Sequence, residues 1–270
     1  MQSKGSVGKS HETLLSATWF DRFKIAWDGT DFDTGHQSFH NRYKENVELL
    51  SIDSYNDALN KLKSTITYFL KSASKVHIID TPADSKADFL NAILETNLIE
   101  KCAENNTRFT FMVFPTEDNS SMGNMADIIQ KLGKKADFIA VKNPTQVKNF
   151  SLYEKKSKIR NFILSSGGAE ITLPYLSQNT KEAHEETEKR NETYFPFDDF
   201  AFNKGNIYKD KVDITFITGD MQHYLNSCYK FYDEIYKLLV PESCYKKVEE
   251  TLSGIKKEKE KYDEVIEKLF

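Results

Sequence analysis

The chain has 270 residues, 39% of them hydrophobic and 29% charged, with a net charge of -4 and a pI near 5.9. These values exclude a disordered or fibrous chain and a uniformly basic nucleic-acid surface, and the length sets one or two domains with a sizeable core. No apolar run approaches the ~20 residues of a membrane span and no signal-peptide core precedes the first lysine, so we expect a cytoplasmic protein without membrane insertion.

The chain opens MQSKGSVGKSHETLL. Gly5 to His11 (Gly5, Ser6, Val7, Gly8, Lys9, Ser10, His11) form a glycine-bearing loop ending in Gly-Lys-Ser, followed by a helix start. Such a loop turns backbone N–H groups toward a phosphate, and a lysine adds full positive charge. The strict pattern G-x-x-x-x-G-K-[ST] fails at its first position, where Ser3 stands, and a second lysine, Lys4, directly precedes the loop. A loop of this kind normally follows a buried strand, yet only Met1 to Ser3 precede Lys4. We therefore expect a site lacking its first strand.

From Ser10 the chain reads as a helix, with Leu15, Trp19 and Phe23 at i, i+4 spacing. Lys24 to Trp27 reads as a short strand running into a loop that holds Asp28, Asp31 and Asp33. Asn46 to Ile52 is strand-like, and Tyr55 to Leu70 is a helix with Leu59, Leu62, Ile66 and Phe69 along one side. Val76, Ile78 and Ile79 make a buried strand that stops at Asp80-Thr81-Pro82, because proline ends a ladder. Helix follows through Phe89, Ile93 and Leu94.

Arg108 to Phe114 and Asp137 to Val141 are further apolar strands, separated by a helix over Met125 to Leu132. The second closes at Lys142-Asn143-Pro144. A helix around Lys156 to Leu164 leads to a strand over Glu170 to Tyr175. Strands too apolar to face water on either side, alternating with helices, predict a mostly parallel sheet with helices on both faces, in three α/β/α layers.

After Leu176 the texture changes, so we expect a nucleotide-binding domain over 1–176 and an aromatic-rich, mainly helical extension over 177–270 packed on it. Gln178 to Thr193 reads as a solvated helix or loop, followed by an aromatic cluster from Tyr194 to Phe202. Val212 to Ile217 reads as another strand or a short extended piece, and Met221 to Leu239 as a strong helix with one broad apolar face. The tail from Glu249 reads as a terminal helix docked on the body. Cys102, Cys228 and Cys244 have no metal-ligand spacing, so we expect packing residues in a reducing compartment. His36 and His40 lack a third metal ligand and read as loop histidines, and His77 as a packed residue within a strand.

Ligands of an open α/β sheet bind outside the carboxyl ends of its strands, where Asp31, Asp33, Asp80 and Asn143 all fall. With Lys9 and Ser10 they compose a nucleoside-triphosphate and Mg²⁺ site. Lys9 neutralises the β- and γ-phosphates, Ser10 and Asp80 hold the metal, and Asp33 orients the attacking water. Positioning and charge supply most of phosphoryl-transfer catalysis, so little further chemistry is needed.

Lys4 followed by GSVGKS resembles the deviant phosphate loop KGGVGKS of the ParA/MinD family of P-loop ATPases. Asp31-Phe32-Asp33 resembles that family's Asp-x-Asp motif, and Ile78 to Ala83 its metal-binding strand and switch segment. The VKNP segment, ending at Asn143 and Pro144, resembles the one whose asparagine contacts adenine. The likeness covers about residues 1–176 and is greatest for the plasmid stability and conjugative-transfer branch (StbB- and TraL-like). It implies a P-loop fold, ATP and Mg²⁺ as ligands, and slow hydrolysis timing an ATP-bound homodimer in which Lys4 reaches the partner's nucleotide. It also implies an adaptor protein and DNA as partners. Ser6 for the family's second glycine, Thr34 for its proline and the missing strand depart from the pattern. They leave two rival readings, a nucleotide-binding interaction protein without hydrolysis and a small-molecule ligase or kinase on the same fold.

Overall fold

A computed structural model describes residues 7–82, 86–155, 157–204 and 214–269. Six strands alternate with helices over the first two thirds of the chain. They are β1 (Trp27–Asp31), β2 (Val47–Leu49), β3 (Val76–Asp80), β4 (Thr110–Val113), β5 (Asp137–Lys142) and β6 (Ala169–Thr172). All pairings are parallel, but they form two three-stranded sheets rather than one, ordered β2-β1-β3 and β4-β5-β6.

The helices follow from patterning and caps. α1 (Lys9–Arg22) runs from the phosphate-type loop, and α2 (Ser38–Arg42) is one short turn after β1. α3 (Tyr55–Lys71) starts at Ser54, whose hydroxyl accepts from the Asp57 N–H, and buries Ala58, Leu62, Thr65 and Ile66. Side-chain capping of that kind is worth about 1 kcal/mol. α4 (Lys86–Glu95) and α5 (Leu98–Ala103) precede β4. α6 (Asn119–Leu132) is capped by Asp118; α7 (Ser151–Lys155) and α8 (Ser157–Ser165) lead into β6.

Two apolar clusters flank the strands. Within β5, Phe138 and Ala140 join the cluster of α3, α4, α6 and α8, while Ile139 and Val141 join that of α1. In β3, Ile79 packs on the first cluster and Val76 and Ile78 on the second; in β4, Val113 and Met112 divide the same way. A period of two, shared by both sheets against the same two clusters, puts the sheets in one layer between two helical layers.

Between the sheets lies a cavity of about 800 Å³, lined by both β3 and β4. Among the described residues no strand pairs with the second edge of either. A dry void of this size would cost on the order of 19 kcal/mol at ~24 cal/mol per Å³. That exceeds the ~5–15 kcal/mol by which a whole protein is stable. The space is therefore wet or filled by polypeptide.

The C-terminal third is α9 (Gln178–Asn191), α10 (Phe197–Ala201), α11 (Ile214–Leu239) and α12 (Tyr245–Leu269). Met221, Tyr224, Leu225, Cys228 and Tyr232 of α11 are buried in the same cluster as Leu14, Leu15, Trp19 and Phe20 of α1. α12 docks through its first turns, where Val248 is buried and Leu252 packs, whereas Ile255 is exposed.

Several expectations are corrected. The strand expected over Lys24 to Trp27 begins only at Trp27. Lys24 takes a left-handed φ of 51°, and Ile25 donates to the Phe20 carbonyl, so these residues close α1. Asp28 and Asp31 then lie within β1 because both find partners there. The extended piece expected over Val212 to Ile217 is, from Ile214, the start of α11, since Ile217 continues the helical stripe Met221–Leu225; Val212 and Asp213 lie outside the described residues. Gln178 to Asn191 is helical but not solvated all round, since Thr180, His184 and Glu188 are buried. His77 is packed as expected, and also polar-bonded, to Asp28 at 2.5 Å and Thr30 at 3.1 Å.

Candidate functional site

Gly8 is the N-cap of α1 at φ 103°, a left-handed conformation that glycine adopts without Cβ strain. An added Cβ would also meet Asn143 Nδ2 at 2.4 Å. The loop and the segment after β5 are thus in direct contact. Beyond Gly8 the first N–H groups of α1 have no intrahelical acceptor, so the helix end carries partial positive charge. Lys9 is its first residue and Ser10 its second. Lys4, Gly5 and Ser6 lie outside the described residues.

Asp80 ends β3 and is 2% exposed. Its pKa is raised to about 6, first by burial and then by the Asp31 and Asp33 carboxylates, while a Ser10 hydrogen bond and the Lys9 charge pull it down. Asp80 Oδ2 is buried with no hydrogen-bond partner. Leaving such an atom unpaired is costly, so a hydrogen-bond donor or a cation at this position would be stabilising.

Asp31 ends β1 and accepts from the backbone N–H groups of Asp33, Phe39 and His40 at 2.9, 3.2 and 3.0 Å. Its carboxylate is consumed in shaping the loop after β1. Asp33 is half-buried on that loop, with Oδ1 accepting from the His36 N–H. Its charge reaches Asp80, so both lie around one centre.

Asn143 follows β5 and is buried, its Oδ1 accepting from the Thr145 N–H at 3.1 Å. Pro144 beside it is half-buried. His11 bonds to the Tyr224 hydroxyl at 2.6 Å, and burial, with Lys181 and Arg42 nearby, lowers its pKa to about 4. It is neutral at pH 7. His11 and Asn143 line a second cavity of about 180 Å³ together with Arg42, Thr145, Lys181 and Phe197.

The structure thus brings Val7, Gly8, Lys9, Ser10, Asp33 and Asp80 to one end of the strands, with Asn143, Pro144 and His11 adjoining. Arg42 and Lys181 carried no motif in the sequence. Glu12 also went unnoticed, although a carboxylate in line with Leu15 and Trp19 on an apolar stripe is a readable signal. It is 1% exposed, and burial raises its pKa to about 8 despite hydrogen bonds from Tyr232 and Ser16. His36 is exposed, and His40 Nδ1 lies 2.7 Å from the Val47 carbonyl. Among the described residues no group of three or more His, Cys, Asp or Glu side chains is placed to hold a metal alone. Mg²⁺ needs no such cage, since it keeps waters and takes one or two carboxylates plus substrate phosphates. An anion at the N-terminus of α1 beside a cation at Ser10 and Asp80 is the chemistry these residues suit. No protein-family model and no curated protein matches the chain.

Proposed function

We propose that the chain is an ATP-binding and ATP-hydrolysing dimerisation switch of the ParA/MinD type on a P-loop fold, serving plasmid partition, plasmid maintenance or conjugative DNA transfer. The observation that carries the reading is the buried, unpartnered Asp80 Oδ2 beside Ser10 at the N-terminus of α1. That orphaned carboxylate oxygen fits Mg²⁺, with Ser10 and Asp80 as its protein ligands and nucleotide phosphates completing the set. The metal supplies charge neutralisation on the β- and γ-phosphates.

In this reading Gly8 lets the loop backbone approach the phosphates, and Lys9 with the first α1 N–H groups neutralises them. Asp33 orients the attacking water, and Asp31 holds the loop that carries Asp33. Asn143, with Pro144, contacts the adenine base, and neutral His11 adjoins it without adding charge. Lys4 reaches the partner subunit's nucleotide, so that contacts made only in the homodimer let ATP shift the population toward it. An adaptor protein and DNA are the proposed downstream partners and the cytoplasm the proposed location. Among the described residues no helix is long and apolar enough to cross a membrane.

Light scattering with and without ATP and Mg²⁺ tests the switch. The parent should roughly double in mass with ATP and Lys9→Ala should remain monomeric. Equal dimerisation of Lys9→Ala and parent would sink the reading.

A further inference from the structure

α12 leaves the body along a single apolar stripe. Tyr245, Val248, Leu252 and Ile255 recur at steps of three and four residues, the a and d positions of a heptad. Tyr245 packs edge-on against Tyr236 of α11, Val248 is buried and Leu252 is half-buried, so the first turns dock the helix. Ile255 is 37% exposed, and every residue from 253 to 261 is exposed. The backbone stays helical to Leu269, and in the sequence the same stripe runs on through Lys259, Tyr262, Ile266 and Leu269. A heptad stripe that continues past its own body is the seam of a coiled coil lacking its second helix.

Charge selects the second helix and its direction. Residues 256–261 hold four lysines and two glutamates, whereas residues 262–269 hold three acids and one lysine. An identical helix laid antiparallel sets each basic half over an acidic half. In the register that pairs a with d positions, 252 lies level with 269 of the second copy, 255 with 266 and 259 with 262. Lys259, at an a position, then meets a tyrosine position, which suits its apolar stem and its ammonium. The flanking e positions set Lys256 beside Asp263 of the second copy, twice by symmetry. In the monomer Lys256 is tied only to Glu260, at 4.0 Å on the surface. A parallel pair would instead face Lys259 with Lys259 and set Glu258 at g against Asp263 at e, both repulsive. The acids at 263, 264 and 267 also disfavour an anionic lipid surface.

We infer that the α12 helices of two copies of this chain pair antiparallel over residues 252–269, a contact that needs no nucleotide. At ~1.5 Å per residue the overlap is about 26 Å long, and it holds the two bodies at its opposite ends. A seam of about two and a half heptads with a lysine in it is weak, with a dissociation constant on the order of 100 µM. At a few micromolar the pairing is silent, so the doubling in mass expected with ATP is read there without it. It uses none of the residues proposed to hold nucleotide, so either interaction can fail while the other stands.

Sedimentation equilibrium of the full chain without nucleotide, from about 5 to about 500 µM, tests the pairing. The parent should pass from monomer to dimer across that range. Ile255→Asp, at a position exposed in the monomer, should stay monomeric throughout. Lys256→Glu and Asp263→Lys should each weaken pairing by about tenfold or more, because each turns two attractions into repulsions. The double variant Lys256→Glu/Asp263→Lys should return the affinity to within about threefold of the parent. A parent monomeric at the highest concentration, or a dimer indifferent to Ile255→Asp, would overturn the inference. So would failure of the double variant to restore affinity, or tightening by Asp263→Lys, which a parallel pair would show through Glu258. Binding of a monomeric parent to phosphatidylglycerol vesicles, abolished by Ile255→Asp, would overturn it in favour of a lipid surface.

Discussion

Glu12→Gln should make the protein more stable in alkali and leave it nearly unchanged in acid. Tyr232 donates its hydroxyl proton to Glu12 Oε1 at 2.5 Å, and Ser16 donates to the same oxygen at 3.4 Å. Oε2 is buried with no partner. Both donors favour the carboxylate, yet burial outweighs them and the pKa rises from 4.5 to about 8. The folded state thus holds a proton that the unfolded chain releases. Its stabilising effect is fully present below pH 4.5 and is lost as pH rises through about 8. At ~1.4 kcal/mol per pH unit, ionising native Glu12 across that window costs on the order of 5 kcal/mol. Glutamine matches the protonated acid in shape, keeps an acceptor for Tyr232 and never ionises. Urea unfolding of both proteins from pH 5 to pH 9 isolates this group, because other titrations cancel in the difference. The gain of the variant should grow with pH up to about 8 and level off above it. A difference flat to within about 1 kcal/mol would refute burial as the dominant influence on Glu12.

Gly8→Ala should cost about 1–3 kcal/mol through its positive φ alone, plus the close approach to Asn143. In a double-mutant cycle, Asn143→Ala should relieve the second part and leave the first, so strictly additive losses in urea would show that the two residues do not touch. Asp28→Asn breaks the pair with His77. Burial raises the Asp28 pKa, but the His77 hydrogen bond and charge, with hydrogen bonds from Ser74 and Ser72, together outweigh it and hold it below 3.8, so this stabilisation is present above pH 3.8 and fades as pH falls through the lower folded value. The variant should lose about 1 kcal/mol at pH 7, discounted for partial exposure, and show a flatter acid limb in its stability profile.

Much of the fold was legible because buried parallel strands read as apolar runs. Val76 to Ile79, Thr110 to Val113 and Asp137 to Val141 announce themselves, and the polar residues that follow the first and the third, Asp80 and Asn143, fall at the candidate site. β1 was misread for a physical reason: it carries Asp28, Gly29 and Asp31, poor strand formers individually. Each is accommodated by a distant residue. His77 partners Asp28, the Phe39 ring lies where a Gly29 Cβ would be, and the Phe39 and His40 N–H groups take Asp31. Ile214 to Ile217 read like a strand but prolong a helix, since four residues are too few for periodicity to tell the two apart. The Gly-Lys-Ser loop, Asp33 and Asp80 were readable as spacing. Arg42 and Lys181 were not, because the second cavity is assembled from α1, α2 and α9 by tertiary packing.

The distance along the chain between α1 and α11 has a consequence for biogenesis. Trp19 donates to Asp233, His11 meets Tyr224 and Glu12 accepts a hydrogen bond from Tyr232, pairs separated by 214, 213 and 220 residues. At ~5–20 residues per second, the ribosome needs about 10–40 s to deliver α11 after α1 has emerged. During that interval Leu14, Leu15, Trp19 and Phe20 have no final cover, although the loop that begins α1 is already synthesised. A nascent chain of this protein should therefore hold chaperones until α11 is complete, and it should release them when α11 closes over α1.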